Sequence, residues 1–212
     1  MSNSPELNRT KLLVFDLFGT LVDYGVRHRP FLRLLKWSQD AGRRPRADDA
    51  RRLMTEDGDL RDLVTALDII APDWLLEQTQ RQLDEELASL VLYPDVVPTL
   101  STLKRQGIAL AICSNLASPY GKVIERLLGD YQFILCLSYQ VGHIKPEPEI
   151  YGAITKLARV TPEECLFVGD TLLADYLGPR KFGMRAYHLV RGIANDSDSI
   201  QSLVDVLDKI NN

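Results

Sequence analysis

Cysteine is scarce in this chain of 212 residues, which contains three, Cys113, Cys136 and Cys165. An odd number of widely spaced cysteines gives neither the framework of a disulfide-rich domain nor the close spacing of a zinc site. Each of the three lies in an apolar run that is typical of a strand. We therefore expect three reduced residues of the hydrophobic core.

Long apolar runs are also lacking. No stretch approaches the roughly 20 apolar residues of a membrane span, and the polar first ten residues lack the apolar centre of a signal peptide. A basic excess is missing as well, because 25 Lys and Arg residues stand against 29 Asp and Glu residues, for a net charge of −4. This balance argues against binding to nucleic acid or to an anionic membrane. We expect a cytoplasmic protein, monomeric or homodimeric, that acts on a small molecule.

What is present is a composition that is 45% hydrophobic, and its most informative stretch is residues 11–22, KLLVFDLFGTLV. Residues 12–15 are apolar throughout, which is typical of a strand buried on both faces of a parallel sheet. Asp16 follows at the carboxyl end, where open α/β sheets place their ligand crevices. An aspartate that caps a helix in a tight turn is the alternative interpretation.

The remaining periodicities predict a fold. Residues 23–93 show helical spacing only, with helices near 30–42, 47–57, 59–70 and 72–92. From residue 93, helices alternate with apolar runs at 108–113, 133–137, 165–168 and 185–190, which indicates right-handed βαβ units, and a last helix covers residues 200–210. The predicted fold class is α/β: a three-layer, Rossmann-like parallel sheet core (1–22 and 94–212) with an inserted α-helical cap domain (23–93).

Several polar groups follow the predicted strands directly. They are Asp16, the pair Ser114 and Asn115, and Asp170 with Asp175 shortly beyond it, while Lys145 lies on a loop of the same half. A parallel sheet brings such ends to one edge, so we expect these groups to converge. Three carboxylates beside one lysine repel one another unless a further cation is present, and Mg²⁺ with oxygen ligands is the ordinary solution.

With that cation, the residues suggest phosphoryl transfer. Asp16 can attack phosphorus and form an aspartyl-phosphate that water then hydrolyses. Lys145 neutralises charge on the phosphoryl group and the nucleophile, while Ser114 and Asn115 bind its oxygens. Thr20 orients the phosphoryl group or holds the loop. Mg²⁺ then bridges Asp16, Asp170 and a phosphoryl oxygen.

Four segments resemble, in order, the four motifs of the haloacid dehalogenase-like hydrolase superfamily. They are FDLFGTL around Asp16, SN at 114–115, KPEPEIY from Lys145, and GDTLLAD with Asp170 and Asp175. The excursion at 23–93 is similar to the family's helical cap. The resemblance implies a Mg²⁺-dependent hydrolase, preferably a phosphatase of a small phosphorylated metabolite. It also implies that the backbone carbonyl of Phe18 is a metal ligand, and that Asp175 is either a ligand or an acid that holds Lys145.

Phe18 is a departure from the family's phosphatases, where the residue two after the nucleophile is usually an aspartate that protonates the leaving group. Losing a positioned acid typically costs roughly 10²- to 10⁴-fold in rate, and most for alkoxide leaving groups. An aromatic residue here also resembles the family's 2-haloacid dehalogenases, in which Asp16 would attack carbon. The paired acids Asp170 and Asp175 favour the phosphatase, because a dehalogenase needs no metal.

Three hypotheses therefore stand: a Mg²⁺-dependent phosphatase, a 2-haloacid dehalogenase, and a catalytically poor protein that binds a ligand or partner. Tyr24, directly after the first motif, is expected to line the crevice under the cap. Arg27 and Arg46 belong to a locally basic start of the cap and are the candidates to bind an anionic substrate, since the guanidinium fork suits phosphate and carboxylate.

Overall fold

The structure is a computed structural model that describes residues 10–192 and 199–210. The strands are β1 (Leu12–Phe15), β2 (Val22–Asp23), β3 (Val91–Leu92), β4 (Ala109–Ser114), β5 (Phe133–Leu137), β6 (Cys165–Gly169), β7 (Arg185–Leu189) and β8 (Ser199–Ile200). The α-helices are α1 (Pro30–Asp40), α2 (Asp49–Thr55), α3 (Leu60–Ala66), α4 (Asp73–Ser89), α5 (Val96–Arg105), α6 (Lys122–Leu128), α7 (Ser138–Val141), α8 (Pro148–Ala158) and α9 (Gly178–Phe182). A π-helical turn, Leu172–Leu177, precedes α9, and short 3₁₀ helices cover Ser118–Gly121, Pro162–Glu164 and Leu203–Asp208.

Six strands form one parallel sheet in the order β5-β4-β1-β6-β7-β8. Side chains of β1 alternate between its two faces. Leu12 and Val14 pack in one hydrophobic cluster with α8, while Leu13 and Phe15 pack in the other with α5 and α6. All four are fully buried because helices cover both faces of a central parallel strand. The predicted three-layer α/β fold is confirmed.

The three cysteines lie in this core. Cys113 and Cys136 occupy paired positions on β4 and β5, and Cys165 begins β6. All three are buried and unbridged, as the sequence predicted. None of the described helices is long and apolar enough to cross a membrane.

The helical excursion forms α1 to α4, in the number and order that the periodicity predicted. Helix α1 packs against α4, and Phe31 and Leu34 of α1 are buried, as are Leu76 and Leu83 of α4. Helix α3 starts at a capping box formed by Asp59 and Asp62. The division into a cap domain at 23–93 and a core domain stays a prediction. Packing among the four helices does not by itself show that they form a separate folding unit.

A two-stranded antiparallel ribbon corrects the prediction that residues 23–93 contain helices only. In this ribbon β2 pairs with β3, with Val22 opposite Leu92 and Asp23 opposite Val91. Consequently the fourth helix ends at Ser89 and does not reach residue 92. Strands of two residues are too short to show an alternating pattern, and their pairing depends on chain segments far apart in sequence.

The end of the described chain is a second correction. Instead of one helix from residue 200 to 210, Ser199–Ile200 adds strand β8 beside β7, and a short 3₁₀ helix follows at Leu203–Asp208. Asp95 accepts hydrogen bonds from Oγ of Ser202 and from the backbone N–H of Leu203, both at 2.9 Å. These long-range bonds hold the turn between strand and helix, which helical spacing of the apolar residues could not reveal.

Side-chain hydrogen bonds join the excursion to the sheet layer. The pairs are Arg51 Nε to Glu147 Oε1 at 2.6 Å, Ser118 Oγ to Asp57 Oδ1 at 2.6 Å, and Tyr120 Oη to Glu86 Oε1 at 2.9 Å. Helix α2 also packs on α7. The helices therefore lie over the carboxyl edge of the sheet.

Candidate active site

The carboxyl ends of three neighbouring strands place the predicted site. Asp16 follows β1, Ser114 is the last residue of β4, and Asp170 follows β6. The backbone N–H of Asp16 donates a 3.0 Å hydrogen bond to the carbonyl of Val168 in β6, which extends the strand pairing to the candidate nucleophile. Asp16 is 7% exposed and so lies below the surface of this edge.

Lys145 joins two of the carboxylates. Its Nζ donates to Oδ1 of Asp16 at 2.7 Å and to Oδ1 of Asp175 at 2.6 Å. Burial lowers the pKa of Lys145, but the two carboxylates raise it more, so its pKa lies above the ordinary value and the ammonium stays charged. A charged lysine is thereby held against the candidate nucleophile.

Asp175 is fully buried, and both of its oxygens are used. Oδ1 accepts from Lys145, and Oδ2 accepts from the backbone N–H of Thr171 at 2.9 Å. A Cβ at Gly169 would overlap the Asp175 carboxylate, so glycine at the end of β6 makes its position possible. The hydroxyl of Tyr151 donates to the carbonyl of Ala174 at 2.6 Å and holds the π-helical turn that carries Asp175.

The acids fit a divalent cation. Asp16, Asp170 and Asp175 each offer a carboxylate oxygen, and these three atoms lie within 4.8 Å of one another. Burial raises the pKa of Asp16 against the opposing effect of Lys145, and partial burial followed by the Asp16 charge raises the pKa of Asp170. Three carboxylates and one ammonium leave an excess of negative charge, and oxygen ligands at this spacing suit Mg²⁺.

The loop after Asp16 shapes the rest of this donor set. Gly19 has φ +83°, a left-handed conformation that favours glycine, and a Cβ there would overlap the carboxylate of Asp170. Among residues 10–192 and 199–210, no donor bonds the backbone carbonyl of Phe18, which leaves that oxygen available to a cation. The loop and the end of β6 thus need a glycine in order to meet.

The predicted phosphate-binding residues lie in different settings. Thr20 is fully buried, and its hydroxyl has no hydrogen-bond partner among the described residues. Ser114, the last residue of β4, is 1% exposed. Asn115, however, uses its amide to hold the backbone of Lys145, accepting from the N–H at 2.7 Å and donating to the carbonyl at 2.8 Å.

The structure brings two of the three predicted crevice residues to one cavity. Tyr24 and Arg27 line it together with Phe18, and the Arg27 guanidinium lies 4.6 Å from the centroid of the Tyr24 ring. Arg46 does not line it; its exposed guanidinium pairs instead with Asp68 at 2.5 Å. Arg46 as a substrate contact stays a prediction that this pairing does not support.

Arg191 is a residue that the sequence analysis did not single out. Its guanidinium donates to the carbonyl of Thr20 at 2.7 Å and of Gly19 at 3.4 Å, and it forms an ion pair with Asp95 at 2.9 Å. The guanidinium also lies 3.8 Å from the centroid of the Tyr93 ring. It therefore supports the loop after Asp16. In the sequence, the one indication of this role is the position of an arginine just after a predicted strand.

Comparison with known proteins places these features in a family. A family model described as haloacid dehalogenase-like hydrolase matches residues 10–183. The glyceraldehyde 3-phosphate phosphatase of Methanopyrus kandleri is 36% identical over 118 residues, which is 54% of this chain. The match spans 50% of the length of that relative. The phosphoglycolate phosphatase of Mannheimia succiniciproducens is 32% identical over 202 residues, 86% of either chain.

A solved structure shares the fold. It is a family enzyme of Bacteroides thetaiotaomicron in complex with magnesium and inorganic phosphate, with a TM-score of 0.60 at 21% identity, covering 88% of this chain and 97% of the other. The family model spans well over half of the residues and includes all four motifs. The chain belongs to the haloacid dehalogenase-like hydrolase family.

Proposed function

We propose that this protein is a Mg²⁺-dependent phosphatase that hydrolyses a small phosphorylated metabolite through an aspartyl-phosphate on Asp16. The observation that carries the proposal is the buried Lys145, which contacts Asp16 and Asp175 while Asp170 lies within cation-binding distance of both acids. A carboxylate beside a fixed ammonium and two further acids suits attack on phosphorus in the presence of a divalent cation.

The residues of this chain have separable roles in that reaction. Oδ2 of Asp16 attacks phosphorus, while Oδ1 stays bonded to Lys145, which orients the carboxylate. Lys145 also offsets the charge that develops on the phosphoryl oxygens. The buried hydroxyls of Ser114 and Thr20 donate to those oxygens, and Asn115 holds the Lys145 loop in place. When bound by Asp16, Asp170 and the Phe18 carbonyl, Mg²⁺ supplies charge neutralisation and a template for the phosphoryl group.

The relatives support this assignment. The names of two of them specify phosphatases of phosphorylated three- and two-carbon compounds, glyceraldehyde 3-phosphate and phosphoglycolate. The related fold from Bacteroides binds magnesium and inorganic phosphate. On those grounds we propose that this chain, too, acts on a small, anionic phosphorylated substrate with Mg²⁺. We also propose a cytoplasmic location and a monomer or homodimer.

A 2-haloacid dehalogenase is the second candidate, and the aromatic side chain of Phe18 favours it. In that reaction Asp16 would attack carbon and a halide would leave without a proton. The acids at 170 and 175 weigh against it, because no metal is then needed to hold them near Asp16. A protein that only binds a ligand is the third candidate.

Two assays separate these functions. We expect Mg²⁺-dependent phosphate release from acetyl phosphate or p-nitrophenyl phosphate, abolished by EDTA and by Asp16→Asn. Titration calorimetry with Mg²⁺ checks the cation site without turnover, and Asp170→Asn should weaken binding. Halide release from 2-chloropropionate that persists in EDTA would select the dehalogenase. No response in either assay, together with equal behaviour of the parent and Asp16→Asn, would favour the protein that only binds a ligand.

A further inference from the structure

A cavity of about 480 Å³ opens between the cap and the sheet edge, next to the loop of the candidate nucleophile. Its wall is largely aromatic and aliphatic, with Phe18, Tyr24, Phe31, Leu53, Met54 and Tyr120 among the lining residues. Pockets of this size hold ligands larger than a two- or three-carbon phosphate. The cavity therefore has room for a ring system beyond the phosphoryl group.

Three of the aromatic rings form one ordered cluster. The Phe18 ring stacks on Tyr24 with 5.1 Å between centroids and an interplanar angle of 24°. Tyr120 meets Phe18 edge-on, at 5.6 Å and 87°. The Tyr120 hydroxyl donates to the buried carboxylate of Glu86 at 2.9 Å, which holds that ring in place. The aromatic surface is thus preorganised before a ligand arrives.

The polar groups in the wall are mostly committed to the protein. Glu86 accepts from the backbone N–H groups of His28 at 2.6 Å and Arg29 at 2.9 Å as well as from Tyr120. Arg27 and Arg29 are exposed at the rim and form no ion pair within the described residues. A ligand consequently meets an aromatic wall and a positively charged entrance.

The chemistry of Phe18 limits the leaving group in the same direction. No acid stands two residues after Asp16, so the leaving oxygen must depart as an anion. The hydroxyl of a phenol has a pKa near 10, whereas the pKa of an alkyl alcohol is far higher, close to that of water. A phenolate can therefore leave without a proton far more readily than an alkoxide.

We propose that the substrates are phosphate monoesters of phenols that carry a further anionic substituent, an inference that rests on the phosphatase function proposed above. The leaving ring packs against Phe18 and Tyr120, and the substituent meets Arg27 and Arg29. Asp16 forms the bond to phosphorus as the bond from phosphorus to the aryl oxygen breaks, and the aryloxide leaves with that electron pair. The aryloxide takes a proton from water. A second water then hydrolyses the aspartyl-phosphate to phosphate and free Asp16.

The leaving-group requirement is tested with phenyl phosphate and cyclohexyl phosphate, which are similar in size. We expect kcat/KM to be about 100-fold higher for phenyl phosphate, within the range that a missing general acid costs. Phe18→Asp restores an acid and should narrow this ratio at least about tenfold. A ratio near one in the parent overturns the requirement.

Ring recognition is tested without bond cleavage, through inhibition by benzylphosphonate and cyclohexylmethylphosphonate. We expect benzylphosphonate to bind about threefold to tenfold more tightly, as aromatic contacts do, and Phe18→Leu to remove that preference. Phe133→Leu, which changes an aromatic residue outside the cavity, should keep it. Equal inhibition of the parent by both compounds contradicts an aromatic leaving-group site.

The charged rim is tested with 4-carboxyphenyl phosphate. Its KM should lie about fivefold below that of phenyl phosphate, which corresponds to roughly one exposed charge pair. Arg29→Gln and Arg27→Gln should reduce this difference, whereas Arg44→Gln, an exposed arginine elsewhere in the cap, should not. Equal KM values in the parent overturn the anionic substituent.

Acetyl phosphate separates this inference from the proposed function. Hydrolysis of acetyl phosphate that depends on Asp16, combined with no preference for phenyl over cyclohexyl groups, refutes the aromatic substrate class and leaves the phosphatase intact. Absence of hydrolysis of every phosphate tested refutes both.

Discussion

The Nζ atom of Lys145 donates a 2.7 Å hydrogen bond to Oδ1 of Asp16, although 129 residues separate them in the chain. The same ammonium contacts Asp175, so one buried cation is shared by two buried carboxylates. The contact orients the candidate nucleophile and, at the same time, makes two buried charges compatible with folding.

Lys145→Met should therefore impair both activity and stability. We expect a loss of at least about 100-fold in phosphatase kcat, because charge stabilisation at the phosphoryl group disappears. Unfolding in urea should show a loss of about 3–5 kcal/mol, because Asp16 and Asp175 remain buried without their cation. Lys156→Met, at an exposed lysine of α8, is the control and should change neither quantity appreciably. Adding Asp175→Asn to Lys145→Met should recover part of the stability and none of the activity; recovery of activity would contradict the role of Lys145.

Gly19→Ala should damage the cation site more than the fold. The new Cβ would overlap Asp170, and that carboxylate must move away from Asp16. Gly107 provides a matched control, since its φ of +72° is similarly strained for alanine but it has open space around it. We expect Gly107→Ala to cost about 1 kcal/mol with unchanged Mg²⁺ affinity. Calorimetry should show Mg²⁺ binding weakened at least about tenfold in Gly19→Ala only, a change that corresponds to 1.4 kcal/mol. Equal Mg²⁺ affinity in the two variants would refute this placement of Asp170.

Arg191→Met should affect turnover without removing any group that contacts the substrate. Its guanidinium binds the carbonyls of Gly19 and Thr20 and pairs with Asp95, so its loss frees the loop that carries the Phe18 carbonyl. A displacement of this kind lowers kcat/KM by about 10- to 100-fold. Arg33→Met, at an exposed arginine of α1, serves as the comparison, and steady-state kinetics is the measurement. An unchanged kcat/KM in Arg191→Met would show that the loop holds its position without the arginine.

Asp49 should make the stability of the protein depend on pH in the acid range. The hydrogen bonds from Arg43 lower its pKa from 3.8 to about 2. A lowered native pKa stabilises the folded state above the unfolded value near pH 4, and this contribution disappears as the pH falls toward 2. The difference corresponds to about 2 kcal/mol for this 7% exposed residue.

Urea unfolding at pH 6 and pH 2.5 measures this contribution. Between the two pH values, the free energy of unfolding should fall less for Asp49→Asn than for the parent, while Asp40→Asn, at an exposed acid, should follow the parent. Parallel curves for Asp49→Asn and the parent would refute this contribution.

Strand and helix prediction succeeded where a segment carries its own pattern. The run from Leu12 to Phe15 is apolar throughout, as befits the central strand β1, which is buried on both faces. Predicting this strand also places Asp16 at its carboxyl end. Prediction failed where a strand is too short to show a pattern of its own. Strands β3 and β8 are two residues long, and each is defined by its pairing, β3 with the distant β2 and β8 with the preceding strand β7.

The site shows the same division. The spacing of Asp16, Ser114, Lys145 and Asp170 indicated four groups at one sheet edge. Loop geometry decided two further contacts that the spacing does not indicate. Oδ1 of Asp175 accepts from Lys145, and Asn115 holds the backbone of Lys145. The placing of Arg46 against Asp68, away from the cavity, likewise followed from how the cap helices pack.

By itself, the sequence determined the α/β class, the order of its helices and the chemical nature of the site, because apolar periodicity and strand-end residues are local properties. Only the tertiary structure decided which charges pair, which arginines reach the cavity and that Arg191 supports the loop after Asp16. Those features arise from contacts between separate segments, from the 22 positions between Arg46 and Asp68 to the 171 positions between Thr20 and Arg191. No local pattern encodes such a distance, because side-chain pairing is settled only when the packed elements bring both partners together.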